Sequence, residues 1–111
     1  MPKGLEKLAQ LTSLNLGDNQ LTDVKGLEKL TQLEDLYLDN NKLTDVKGLE
    51  KLTRLTRLSL DDNQLTDVTG LEKLTQLTRL YLSSNPDLTK AQIAELQKAL
   101  PKCIIYSNAT K

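Results

Sequence analysis

Leucine recurs along this chain in a fixed rhythm. The pattern L-x-x-L-x-L-x-x-N starts at Leu11, Leu33, Leu55 and Leu77, a spacing of 22 residues. Three units, 11–32, 33–54 and 55–76, follow one another without a gap. Residues 4–10, GLEKLAQ, match the second half of a unit whose first half is absent. A fourth unit begins at Leu77 and then departs from the pattern. The organisation expected is one domain over 1–111: a partial N-terminal repeat (1–10), the three repeats, and a last repeat with a helix–strand cap (77–111).

Each half of the unit predicts a different element. In L-x-L, apolar and polar positions alternate, which suits a short strand with one buried face. Leu14/Leu16, Leu36/Leu38, Leu58/Leu60 and Leu80/Leu82 are expected to point inward, and Asn15, Tyr37, Ser59 and Tyr81 outward. Strands one repeat apart and running the same way make a parallel sheet with neighbours about 4.8 Å apart. The second half, LTDVxGLExLTx, spaces its apolar residues near three (Val24, Leu27, Leu30), which fits a 3₁₀ or irregular turn. Gly26, Gly48 and Gly70 fall where an α-helix would be penalised. Asp23, Asp45 and Asp67 are expected to cap these turns.

Asn19, Asn41, Asn63 and Asn85 form one column, each where the chain bends back after a strand. An amide both donates and accepts, so this column reads as a buried structural ladder that satisfies backbone groups freed at the bend. After Asn85, residues 88–100 read as an α-helix with a T-x-x-Q capping box (Thr89, Gln92), stopped by Pro101. The spacing Leu100-x-x-Cys103-x-Ile105-x-x-Asn108 then re-enters the pattern. It predicts a fifth strand with Cys103 and Ile105 in the inward leucine positions, making Cys103 a core residue rather than a nucleophile. The N-terminal end has no equivalent cap, and Pro2 stands where the repeats carry Val. Its open strand edge is expected to allow self-association.

Composition narrows the function. Leucine supplies 26 of 111 residues, with no Phe, Trp or His, so one packing environment is repeated. Without His, a Cys–base pair or a phosphate-cradling glycine loop, no enzyme, catalytic residue or cofactor is expected. The lone Cys103 excludes an intramolecular disulfide and a multi-Cys metal site. Lys+Arg and Asp+Glu both count 15, so the basic excess of a nucleic-acid binder is missing. No apolar run is long enough to span a membrane. The opening MPKGLEKLAQ lacks the apolar region of a signal peptide. These features describe a soluble chain and assign no compartment. Asn108-Ala-Thr110 fits a glycosylation sequon and reads as chance.

The unit LxxLxLxxNxLTDVxGLExLT resembles the bacterial, internalin type of leucine-rich repeat and is equally similar to the short eukaryotic phosphatase-regulatory type. The ending LTKAQIAELQKALPKC…YSN resembles C-terminal caps of leucine-rich-repeat proteins from environmental bacteria. The resemblance implies an α/β solenoid: a right-handed arc with a curved parallel β-sheet on the concave face, 3₁₀ or irregular turns on the convex face and a C-terminal capping helix. It also implies recognition of a protein partner through the concave face. It names no partner and transfers no functional residue.

A binding face must lie where units differ. The column before the second leucine reads Ser13, Asp35, Arg57, Arg79, Lys102; the column between the strand leucines reads Asn15, Tyr37, Ser59, Tyr81, Ile104. Past the strand come Asp18, Asp39, Asp61 and Asp62. Candidate partner-binding residues are therefore Asp35, Tyr37, Asp39, Arg57, Ser59, Asp61, Arg79 and Tyr81. Tyrosine offers a large area with a polar tip, and Tyr106 falls on the same side or its rim. Arg57, Arg79 and Lys102 form a basic stripe opposite an acidic one, a layout that orients a partner of reversed charge or is simply screened by solvent. The acidic stripe lacks the spacing of a calcium loop, and no metal is expected. The convex Glu28-Lys29, Glu50-Lys51 and Glu72-Lys73 pairs read as a solubility surface. The leading reading is a non-catalytic protein-interaction module. The alternative, prompted by near-identity of the middle units, is an engineered, consensus or truncated repeat scaffold with no native partner.

Overall fold

The computed structural model describes residues 2–111. Each L-x-L segment is a three-residue strand: β1 (Ser13–Asn15), β2 (Asp35–Tyr37), β3 (Arg57–Ser59), β4 (Arg79–Tyr81) and β5 (Ile104–Tyr106). They pair in chain order into one parallel sheet. Among β1–β4 the register keeps the 22-residue offset, with Leu14, Leu36, Leu58 and Leu80 in one row. The ladder continues one step past each strand, where Leu16, Leu38 and Leu60 donate their N–H to the carbonyls of Tyr37, Ser59 and Tyr81.

The interior consists of stacked leucine columns. Leu36, Leu58 and Leu80 line the sheet side, and Leu27, Leu49 and Leu71 the turn side, all fully buried. Burying a leucine contributes about 1.5–3 kcal/mol, and each interior repeat supplies the same set. The N-terminal end lacks half of this cover. Leu11, Leu14 and Leu21 are only half-buried and Leu8 is exposed, whereas Leu33, Leu36 and Leu43 one repeat on are fully buried. No strand among the described residues pairs the outer edge of β1.

The turn side carries 3₁₀ turns at Leu5–Lys7, Leu49–Lys51 and Leu71–Lys73, and the same i→i+3 bonding recurs at Leu27 and Leu30. Gly48 and Gly70 precede their turns at φ 102° and 108°, a region where a side chain would be strained. The expected aspartate caps are corrected in detail. Asp23, Asp45 and Asp67 accept from the N–H two residues on, forming local turns before the glycine. The glycine N–H is held instead by the glutamate that follows: Glu28 at 2.8 Å, Glu50 at 3.0 Å and Glu72 at 2.8 Å. These glutamates, read from the sequence as a solubility surface, therefore also hold the backbone. The backbone hydrogen bonds hold the Glu28 carboxyl below the usual carboxylate range.

The helix α1 (Lys90–Ala99) starts on the expected capping box: Thr89 Oγ1 accepts from Gln92 N at 3.1 Å, and Gln92 Oε1 accepts from Thr89 N at 2.9 Å. Gln92 Nε2 also donates to the carbonyl of Thr66 at 2.9 Å, tying the helix to the preceding repeat. Leu96 and Leu100 turn inward and complete the core.

The register of the last strand departs from expectation. Ile104 pairs with Arg79, Ile105 with Leu80 and Tyr106 with Tyr81. The alignment that placed Cys103 opposite Leu80 is thus displaced by two residues. A two-residue slip keeps every side chain on its own face, so Cys103 remains buried and Ile105 still points inward. The outward positions change. Ile104 takes the place expected for Lys102, and Tyr106 the place expected for Ile104. The cause is α1 and the turn after it, in which Cys103 N donates to the carbonyl of Leu100; this segment consumes two residues more than the pattern assumed.

Candidate functional site

Outward side chains of the sheet form three rows across the concave face. The first is Ser13, Asp35, Arg57, Arg79 and Ile104; the second is Asn15, Tyr37, Ser59, Tyr81 and Tyr106. The third lies where the chain leaves the strands and holds Gly17, Asp39, Asp61 and Ser83. Here Asp18 N, Asn40 N and Asp62 N donate to the carbonyls of Asp39, Asp61 and Ser83. Asp18, Asn40, Asp62 and Ser84 adopt φ near +57° to +59°, which turns the chain toward the asparagine column.

That column is a ladder between repeats. Asn41 Nδ2 donates to the carbonyls of Leu38 in its own repeat and Leu16 in the previous one, and its Oδ1 accepts from Leu21 N. Asn63 and Asn85 repeat the arrangement. Asn19 departs from this expectation: it is exposed and, among the described residues, donates only to Leu16 and Gly17 of its own repeat. Asn108 does not extend the column, since its Oδ1 accepts from Ser84 N at 2.7 Å.

Of the candidate binding residues, Tyr37, Asp39, Arg57, Ser59, Asp61 and Tyr81 surround one open depression of about 350 Å³, with Asp62 at its edge. Ser59 is its floor. Expected outside, it faces outward yet is only 8% exposed, because its short side chain stands between Tyr37 and Tyr81 in register. Asp61 Oδ1 accepts from Ser83 N at 2.7 Å. Burial, with Asp62 and Asp39 adding to it against that hydrogen bond, pushes the Asp61 carboxyl above the usual aspartate range. Asp35 and Arg79 lie outside the depression. Asp35 stands beside Arg57 in the first row; Arg79 Nη1 lies 3.4 Å from Tyr106 Oη.

Tyr106, expected on the same side as the tyrosine row or at its rim, is a member of that row. Its ring stacks on Tyr81 with centroids 4.7 Å apart and planes 5° from parallel, an arrangement that adds to simple burial. Ile104, beside Arg79, is 52% exposed. The basic stripe is accordingly Arg57 and Arg79, ending on Ile104 rather than Lys102. Among the described residues the one ion pair is Lys111–Asp87 at 3.2 Å, so Arg57 and Arg79 present their charge without a carboxylate partner. No helix of the described residues is long and apolar enough to cross a membrane.

Leucine-rich repeats, in two copies, match residues 9–51 and 53–98. Among solved structures, an internalin (inlF) of Listeria monocytogenes is 29% identical with a TM-score of 0.86, over 96% of this chain and 32% of that one. Internalin C2 of the same organism is 32% identical with a TM-score of 0.83, over 96% and 47%. A leucine-rich-repeat protein of Leptospira interrogans is 38% identical with a TM-score of 0.85, over 95% and 27%. The chain thus spans about a quarter to a half of the length of these neighbours. No curated protein matches it.

Proposed function

Because the chain belongs to the leucine-rich-repeat family, whose members are generally non-catalytic interaction modules, we propose that it binds a protein partner through the concave face of its sheet. The observation that carries this reading is the convergence of Tyr37, Ser59 and Tyr81 with Arg57, Asp39 and Asp61 around one depression. Aromatic and arginine side chains dominate binding energy at protein interfaces. The two unpaired arginines and the opposing aspartates supply the charge pattern that fixes a partner's orientation. Variation between units concentrates on this face, while the turn side repeats TDVxGLEKLT almost unchanged.

A second reading is favoured by that same near-identity: a repeat scaffold without a native partner. One comparison separates the two. The wild-type chain, a concave variant (Tyr37→Ala, Tyr81→Ala) and a convex variant (Lys29→Ala, Lys51→Ala, Lys73→Ala) are immobilised and offered extracts and surfaces of candidate cells. A protein retained by the wild type and the convex variant but lost from the concave variant supports the binding module. Equal retention by all three overturns binding through the concave face, and retention of nothing by any supports the scaffold.

A further inference from the structure

Tyr81 and Tyr106 stack along the direction in which the strands are stacked, their 4.7 Å centroid separation equal to one strand spacing. One face of the Tyr81 ring is covered by Tyr106. The other looks along the same row across Ser59 toward Tyr37, two strand spacings (about 9.6 Å) away. The row Tyr37–Ser59–Tyr81–Tyr106 is therefore an aromatic stack with one rung missing. A flat group midway in that gap has its centre about 4.8 Å from each ring position, close to the 4.7 Å at which Tyr106 stacks on Tyr81.

Two further features select the group. Ser59 is more than nine-tenths buried as a residue, and its hydroxyl, which makes no hydrogen bond to the described residues, opens to solvent in the depression as a donor and acceptor a ligand can meet. At the end of the gap stand Asp39, Asp61 and Asp62, against the single cation Arg57 at the opposite end. Asp61 is held in place through Oδ1 by Ser83 N, leaving Oδ2 free to accept. Flat shape, a ring on either side and surplus negative charge together describe a guanidinium: it stacks on aromatic faces and donates to carboxylates in the plane of the group.

Resting on the reading of this face as a protein-binding surface, the geometry points to the Ser59 gap as a specificity pocket for an arginine side chain of the partner, sandwiched between Tyr37 and Tyr81 and hydrogen-bonded to Asp61. Burial raises the Asp61 carboxyl, and the neighbouring Asp62 and Asp39 charges add to it. A cation there relieves the mutual repulsion of Asp39, Asp61 and Asp62.

The test uses the peptide Ac-Gly-Arg-Gly-NH₂ titrated into the isotope-labelled full chain through the millimolar range, with lysine, citrulline and tyrosine analogues. Saturable backbone shifts confined to Tyr37, Ser59, Asp61 and Tyr81 are expected. Arginine binds best, and citrulline, flat but uncharged, about tenfold more weakly. Ser59→Tyr places in the gap the residue that repeats two and four already carry in that row, so it preserves the fold and abolishes the shifts. Asp61→Asn weakens arginine and not tyrosine. Equal binding of arginine and citrulline, preference for the tyrosine peptide, shifts elsewhere on the surface, or unaltered binding to Ser59→Tyr overturns the pocket. A partner that still depends on Tyr37 and Tyr81 while no arginine peptide binds leaves the concave-face reading standing and removes only the pocket. Arginine binding without any protein partner does the opposite.

Discussion

The side-chain nitrogen of Asn63 donates to the carbonyl of Leu38, 25 residues earlier and one repeat back, at 3.0 Å. The same nitrogen reaches Leu60 O at 3.1 Å, and the amide oxygen accepts from Leu43 N at 3.0 Å. Replacing Asn63 by alanine strands buried groups in two repeats at once, each costing about 1–3 kcal/mol. Asn63→Ala is expected to destabilise the chain by at least about 2 kcal/mol, and Asn19→Ala, exposed and bonded within its own repeat, by under about 0.5 kcal/mol. Urea unfolding of both variants checks this. Equal losses would show that the links between repeats are not what the asparagines contribute.

Asp61 offers a pH-dependent test. Its folded carboxyl binds a proton more tightly than an unfolded aspartate, because burial and its aspartate neighbours disfavour the charge. Ionisation of this group therefore opposes folding. The cost is absent below the unfolded value of about 3.9, grows as pH rises toward the elevated folded value, and is complete above it. Asp61→Asn retains an oxygen for the Ser83 N–H and removes the charge. Thermal unfolding should show the variant more stable than wild type at pH 7, with the advantage gone at about pH 3. A variant less stable at pH 7 than at pH 3, relative to wild type, would contradict the sign.

Cys103 is buried, and burial pushes its thiol above the usual range. Reactivity follows the thiolate and its exposure. An aromatic disulfide reagent at mildly alkaline pH should label the native chain at least about tenfold more slowly than the urea-unfolded chain. Comparable rates would mean that the C-terminal strand opens freely.

The cap of α1 has two partners that act as a unit. Thr89→Ala is expected to cost about 1 kcal/mol, and Gln92→Ala more than that, since Gln92 also holds Thr66 O. The double variant should lose less than the sum, because each substitution already opens the same box. Strict additivity in denaturant unfolding would place the two residues in separate roles.

Most of the solenoid was readable in advance because its information is redundant. Leu36, Leu58 and Leu80 sit in one row because the same spacing is written three times, and a single mistaken position could not shift it. The cap is written once. There, alternation identified Cys103 and Ile105 as inward residues. It could not distinguish a strand from the same strand slipped by two, since both bury the same face. Only the length of α1 and its turn decides the slip. The place of Tyr106 in the aromatic row is therefore set by the helix and its turn, not by the repeat spacing. The burial of Ser59 has a different origin: its own residue type predicts exposure, and two large neighbours on adjacent strands override it. The glutamates that hold Gly26, Gly48 and Gly70 were hidden for a similar reason. Their charge suggested solvent, while their carboxylates fold back two residues to meet the backbone.

Each link of the asparagine ladder spans the same chain distance and meets the same three kinds of backbone group on either side. A copy of residues 33–54 spliced in after Arg54 would present to both neighbours the leucine and asparagine framework they already meet. Such a molecule grows in discrete steps, like a coil spring lengthened by whole turns, with its sheet widened by one strand at a time. Recombination between near-identical units can thus change the reach of this protein without first having to solve a new folding problem.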